Sequence, residues 1–475
     1  MNKKILGYFC VILLLLIVIS INTISASEID SSRDAFPNQI LGDGSGVDEV
    51  PTDDSNGCST DTTPEVTDQT GCSTDTTPEV TDPTDEEPPE AILEKTSLSS
   101  LDYAIKNKYF NVYLKDSSKN GIATKKVQLT INGKTLSAIT NANGLARFNI
   151  SNAAKTYNIS LIFEGDDEYE SSSKTLNLRV IEKPIYTKLT IEEYGIFKND
   201  YLKVYLKTDT DKAIANQTIK ITLNGKTYTK TTNKEGLAKL IINQSYKLFN
   251  VNIKYAGKSN YIPVSKTIKI NVLYNKFLGK TSYGKVYFIG VIGNRSSKHK
   301  IAYVVGLHSM ENQIHDSIFK QLKNKVDMKY KYYIYRIVLT NKKGSYSTLR
   351  MRGQMLAKNY IVPHAKKQKY DLVVDIHSTS GITYKQTYFI HVPKNKHEPS
   401  MKLAKKTIKI IKSIENNSKM LYWSPPTQTS PPYIHLPLIN AGTPTFVFET
   451  WTYEKKSQTN QRAKILIQAI DKVFD

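Results

Sequence analysis

One stretch of this chain is written twice. At an offset of 92 residues, without a gap, Val112-Tyr-Leu-Lys115 recurs as Val204-Tyr-Leu-Lys207 and Asn132-Gly-Lys-Thr135 as Asn224-Gly-Lys-Thr227. Asn143-Gly-Leu-Ala146 aligns with Glu235-Gly-Leu-Ala238, Gly165 with Gly257, and Tyr169 with Tyr261. A gapless repeat obliges both copies to share one fold. Each alternates apolar and polar residues in short runs, such as Val127-Gln-Leu-Thr-Ile131 and Ile219-Lys-Ile-Thr-Leu223, the period of a half-buried strand. Asn-Gly follows each run, and that pair tolerates the positive φ a tight hairpin needs. About seven strands in about 90 residues predict a β-sandwich for each copy.

The order of turn, strand, Asn-Gly-Lys-Thr, strand and Asn-x-x-Gly-Leu-Ala resembles the bacterial-type immunoglobulin-like repeats of prokaryotic surface and adhesin-like proteins. The resemblance covers residues 95 to 273. It implies two all-β immunoglobulin-like sandwiches, residues 93–182 and 183–273, acting as spacers or adhesive modules. Sequons at Asn149, Asn158, Asn216, Asn243, Asn294 and Asn416 are compatible with surface glycosylation.

Ahead of the repeats, Lys3-Lys4, an apolar run from Ile5 to Ile21 and the small residues up to Ser27 read as a signal peptide. The competing reading is an uncleaved N-terminal anchor, the only membrane contact expected. Either places the remainder outside the cytoplasm, secreted or at the cell surface. Residues 28 to 92 form an acidic stalk: Gly57 to Asp68 recurs as Gly71 to Asp82, rich in Thr, Asp and Pro. Such a segment buries too little apolar surface to offset its ordering entropy. It holds 18 acidic groups against Arg33 within residues 28 to 90, so the net charge of +21 leaves residues 91 to 475 near +36. A basic exported body favours an anionic wall polymer, unless the lysines only solvate exposed faces. No nucleic-acid motif occurs, and export argues against that partner. Cys10 falls in the signal, Cys58 and Cys72 in the stalk, and none follows. Any metal must therefore use His, Asp or Glu.

From about Tyr274 the texture changes. Strand-like runs (286–291, 301–307, 332–339, 372–376, 387–392 and 445–448) alternate with helical spacing over 312–326, 349–361, 401–414 and 461–474. Alternation of this kind predicts an α/β domain, residues 274–475, with ligands at the carboxyl ends of its strands. All eight histidines lie at or beyond His299. Three apolar runs end in metal-competent groups: one leads to His308-Ser-Met-Glu311, one to Asp375-Ile-His377, one to Glu449. Two imidazoles and a carboxylate are a common catalytic zinc set. Each residue alone also has an ordinary reading as a hydrogen-bonded strand-end side chain.

That order resembles the zinc carboxypeptidases and their relatives, the succinylglutamate desuccinylases and aspartoacylases. The motifs are His308-x-x-Glu311, Asp375-Ile-His377-Ser-Thr and Glu449, with Phe288-Ile-Gly-Val-Ile-Gly-Asn-Arg295 similar to the family's opening hairpin. The resemblance covers residues 280 to 475. It implies a metallohydrolase fold with a mixed sheet and one Zn2+ per chain on His308, Glu311 and His377. Asp375 would stand behind the His377 imidazole, and Glu449 would be the general base of amide hydrolysis. Arg350 and Arg352, with Arg336 behind them, are the candidate cations for an oxyanion or substrate carboxylate; helix-surface charge is their plain alternative. Tyr433 is placed over the substrate by the resemblance and in a loop by the plainer reading. The family's Asn-Pro-Asp-Gly and Asp-Leu-Asn-Arg-Asn-Phe segments are absent, which puts C-terminal exopeptidase specificity in doubt.

Two functions follow. One is an extracellular zinc hydrolase of an amide bond, acting on a peptide or N-acyl amino acid, cell-wall peptides included. The other is an adhesin-like surface binding protein whose C-terminal domain is inactive. A purely electrostatic wall binder is a third.

Overall fold

A computed structural model describes residues 92–382, 385–393 and 397–475. The expected signal and all of the expected stalk except Ile92 lie outside these residues, as do Cys58 and Cys72. No helix among the described residues is long and apolar enough to cross a membrane.

Each repeat folds into two facing sheets. In the first, strands Ser97–Ser100, Lys108–Lys115 and Leu145–Ile150 face a five-stranded sheet that includes Lys126–Ile131, Thr156–Phe163 and Ser172–Ile181. Alternation sends Val127, Leu129 and Ile131 into one core, and Ile219, Ile221 and Leu223 into the core of the second repeat. Asn132 and Gly133 sit at φ 51° and 74°, Asn224 and Gly225 at 51° and 75°. Both hairpins therefore turn on the two positive-φ residues that Asn-Gly accommodates.

The last strand of the second repeat does not stop at its edge. It runs from Val264 to Thr281 and is labelled β1 here. Its first half pairs with Leu248–Tyr255 of the repeat, and its second half with β2, Gly284–Gly293. The expected boundary between residues 273 and 274 thus falls inside a strand, and one sheet continues from sandwich to C-terminal region. That sheet adds β3 (Lys300–Val305), β4 (Lys331–Leu339), β5 (Leu372–Thr379), β6 (Phe389–His391), β7 (Leu421–Tyr422) and β8 (Thr445–Trp451). Their spatial order is β1-β2-β4-β3-β5-β8-β6-β7. The central strands β4, β3, β5 and β8 are parallel, whereas β2 and β6 run against their neighbours β4 and β8.

Both faces of the mixed sheet are covered. On one, α1 (Asn312–Lys323), α3 (Glu398–Ile414) and α5 (Lys456–Ile470) supply Ile318, Ile411 and Leu466 to the larger core. On the other, α2 (Tyr346–Leu356) and α4 (His435–Ile439) contribute Leu349, Leu356 and Leu438. Burial on both sides explains why β5 reads as the continuous apolar run Leu372-Val-Val374 with no alternation.

Candidate metal centre

The carboxyl ends of the parallel strands collect the chemistry. Chain leaving β3 turns at Gly306, whose φ of 88° and 2.2 Å approach of a would-be Cβ to the Ile337 carbonyl suit glycine alone. Two residues past that turn, His308 is buried. Glu311 then sits at the N-cap of α1, where the helix dipole favours a carboxylate. Instead of capping its own helix, its side chain reaches two imidazoles. Oε1 lies 2.8 Å from His308 Nδ1, and Oε2 lies 2.9 Å from His377 Nδ1. The Ser378 amide donates to Oε2 at 3.0 Å and Arg350 to Oε1 at 3.2 Å. All three ligand candidates are nearly fully buried.

The parallel register of β5 and β8 sets His377 beside Glu449. Glu449 Oε2 is buried without a hydrogen-bond partner among the described residues. Burial pushes this carboxyl up to about 8, with His377 pulling against the rise. Asp375, two residues before His377 on β5, accepts from His377 Nε2 at 2.8 Å and from His435 Nε2 at 2.7 Å. Burial disfavours its charge, yet these two imidazoles outweigh burial and hold Asp375 below the usual carboxylate range.

Proton positions follow from the partners. His377 has a carboxylate oxygen at each nitrogen, and carboxylates only accept. A proton on each nitrogen satisfies both carboxylates, which makes His377 an imidazolium wherever no metal takes Nδ1. Burial opposes that charge, but Asp375 and Glu311 overcome it and raise the group well above its ordinary value. His308 behaves oppositely: burial pushes it down to about 4. Its Nδ1 donates to Glu311, while Nε2 accepts from Gln354 at 3.4 Å and from the Ser430 hydroxyl at 3.3 Å.

The donor set fits a metal ion. The ligand atoms of His308, Glu311 and His377 lie within 4.8 Å of one another. A tetrahedral zinc with bonds of about 2.0–2.1 Å would hold its ligand atoms about 3.3 Å apart. His308 and His377 approach different oxygens of the one Glu311 carboxylate, which sets all three groups around one point. Each imidazole also has a partner for its other nitrogen, the usual way such ligands are oriented.

The other expected residues separate. Arg350 lines the cavity at the cluster and is held by Tyr346 Oη at 3.1 Å and Thr429 Oγ1 at 3.1 Å. Arg352 is not brought there. It donates to the Asn341 and Lys343 carbonyls at 3.1 and 2.6 Å, because residues two apart on a helix face different ways. Arg336 stacks 4.1 Å over Phe319. It lines a separate cavity of about 210 Å3 with Gly306, Ser309, His315 and Lys342. Tyr433 ends the short turn Pro431–Tyr433 and does not line the cavity; Ser430 and His435 of the same segment do.

Three contributors escaped the sequence reading. His315 donates Nε2–H to the Ile376 carbonyl at 2.8 Å, tying α1 to β5; its place one helical turn after Glu311 was the available signal. His391 and His435 line the cavity beside Glu449. Nothing local marks His391, whereas the proline-rich run before His435 marks a turn whose inward side chain only the fold reveals.

No protein-family model matches the chain, and no curated protein matches it. Among solved structures, a metallo-carboxypeptidase from Burkholderia cenocepacia aligns at 10% identity and TM-score 0.32, covering 60% of this chain and 98% of its own. Fibronectin(III)-like modules of Clostridium thermocellum CbhA align at 14% and 0.18, covering 37% and 93%. A Ca2+-stabilized adhesin of an Antarctic bacterium aligns at 16% and 0.18, covering 47% and 56%. Likeness at these scores leaves function to this chain's own residues.

Proposed function

We propose that the C-terminal domain is a zinc-dependent hydrolase of amide bonds, acting on a peptide or N-acyl amino acid and displayed at the cell surface by the two sandwiches. The observation that carries this reading is the convergence of His308 and His377 on the Glu311 carboxylate, with the unpartnered Glu449 carboxyl on the adjacent strand. His308, Glu311 and His377 would hold one Zn2+. When bound, that ion supplies a Lewis acid for a carbonyl oxygen and lowers the pKa of water.

The chain's own groups do the rest. Asp375 keeps a proton on His377 Nε2 and so turns Nδ1 toward the ligand cluster. Ser430 can reverse its hydroxyl to accept from His308 Nε2 once Nδ1 is needed as a ligand. Glu449 Oε2 takes a proton from the attacking water and returns it to the leaving nitrogen. Arg350, at the mouth of the same cavity, faces developing negative charge on the substrate. A wall peptide fits an exported, basic body near +36 over residues 91 to 475.

Metal content and one substitution test this. Full-length protein should hold one zinc per chain and lose it in His308→Ala. Glu449→Gln should keep the zinc and lower kcat by at least about a hundredfold on any responsive peptide or N-acyl amino acid. Metal-free protein at micromolar zinc would instead leave the adhesin-like binding reading, with an inactive domain.

A further inference from the structure

The cavity that Glu449 lines with His308, His377 and Arg350 is small, about 30 Å3. That is room for one water-sized group. Its other walls are Gln428, Thr429, Ser430, Pro431, His391, His435 and Val447. The polar atoms left over there share a character. Gln428 Nε2 donates to the Pro425 carbonyl at 3.0 Å, which leaves Oε1, a pure acceptor, buried and without a partner. His435 must keep its proton on Nε2 to donate to Asp375, so in the neutral ring Nδ1 is a lone pair; it too is buried and unpartnered. Glu449 Oε2 and His391 Nδ1 are also buried there without partners, each able to accept when unprotonated. Of the donors on these walls, Arg350 is engaged by Glu311, Tyr346 and Thr429, while the Thr429 and Ser430 hydroxyls can turn to donate or accept.

We propose that this cavity recognises a nitrogen group rich in N–H donors, a primary amine, on the substrate. A carboxylate has no donor to offer Gln428 Oε1 or His435 Nδ1, and burying an acceptor unpaired is unfavourable. Amine recognition at this place reverses the usual demand of a C-terminal exopeptidase, which needs cations for a carboxylate. It rests on the hydrolase reading for the bond cleaved, but not for the binding itself.

Methylammonium is the probe, with potassium and acetate as controls at equal ionic strength, on zinc-loaded full-length protein labelled with 15N in histidine. The His435 resonance is assigned by its loss in His435→Gln. Methylammonium should shift His435 Nδ1 saturably while potassium and acetate leave it, and Gln428→Leu should weaken that binding about tenfold. A shift with methylammonium in protein that hydrolyses nothing would uphold the amine site and reject the hydrolase. A shift with acetate instead, or no shift with methylammonium, overturns the proposal. So does a second zinc per chain that is lost in His435→Gln, since the acceptors would then be ligands. Among amides that are cleaved, a free amine beside the scissile bond should raise kcat/KM over its acetylated counterpart.

Discussion

His377 is the residue on which the metal argument turns. Held between Asp375 and Glu311, it carries a proton on the nitrogen a metal needs. Proton and zinc compete for Nδ1. Since His377 is raised above its ordinary value, affinity should climb about tenfold per pH unit up to that raised value and level off above it. Chelator competition across about pH 6 to 8 measures this, and a flat profile would show that Nδ1 is free. The same pair sets the opposite sign for metal-free stability: its contribution is present at low pH and lost as pH rises through the folded value. At this scale the sequence was informative about ligands and poor about their supports. His308, Glu311, His377 and Glu449 follow apolar runs in a recognisable order. His391 ends β6, His435 opens α4 and Ser430 stands in the loop before it, and where they point depends on how those short elements pack.

Elements fix how firmly those residues are held. Helix α2 presses its backbone on the segment that carries His308: a Cβ at Gly353 would fall 1.7 Å from the Leu307 carbonyl. Gly353→Ala should therefore push the Leu307–His308 segment away, costing about 1–3 kcal/mol and lowering zinc affinity with it. Gly225→Ala is the contrast. Its turn opens into solvent but keeps φ at 75°, so about 1 kcal/mol should be lost with zinc affinity unchanged. Thermal unfolding and zinc titration of both variants separate the two. If Gly353→Ala bound zinc normally, α2 would not position His308. Strands and helices were largely visible in the periodicity, because alternation and helical spacing each follow from one buried face. Short β7 and α4 were not, having two and five residues and no period to read. The run of β1 past residue 273 was hidden too, since β-propensity cannot say where a strand changes partners.

At the scale of the molecule, that continuous strand joins the second repeat to the C-terminal domain. Asn271 is fully buried in β1; it donates to the Val291 carbonyl at 2.9 Å and accepts from Arg295 at 3.3 Å. Gly195 of the repeat lies against the Lys323 carbonyl, where a Cβ would be 1.9 Å away. Asn324 Oδ1 accepts from the Tyr194 and Gly195 amides at 2.8 and 3.1 Å, and Lys323 reaches Glu193 at 2.7 Å. The first repeat is tied on more lightly. Arg179 donates to the Ser259 and Tyr261 carbonyls at 2.6 and 3.0 Å. Repeat 2 and the C-terminal domain should therefore unfold as one cooperative unit, separately from repeat 1. Because unfolding enthalpy scales with residue number, the joint transition should carry roughly three times the enthalpy of the other. Zinc should raise the Tm of the larger transition alone. Asn271→Leu, which removes one bond to the Val291 carbonyl and one to Arg295 and leaves only the 3.3 Å bond between those two, should cost about 1–3 kcal/mol and lower that same transition. Scanning calorimetry with and without zinc decides it: three transitions, or a zinc-sensitive one of only one domain's enthalpy, would mean that β1 bends as a hinge and each sandwich is merely a spacer. Two transitions would make the second repeat a structural part of the C-terminal domain, which no fragment beginning at residue 274 could reproduce.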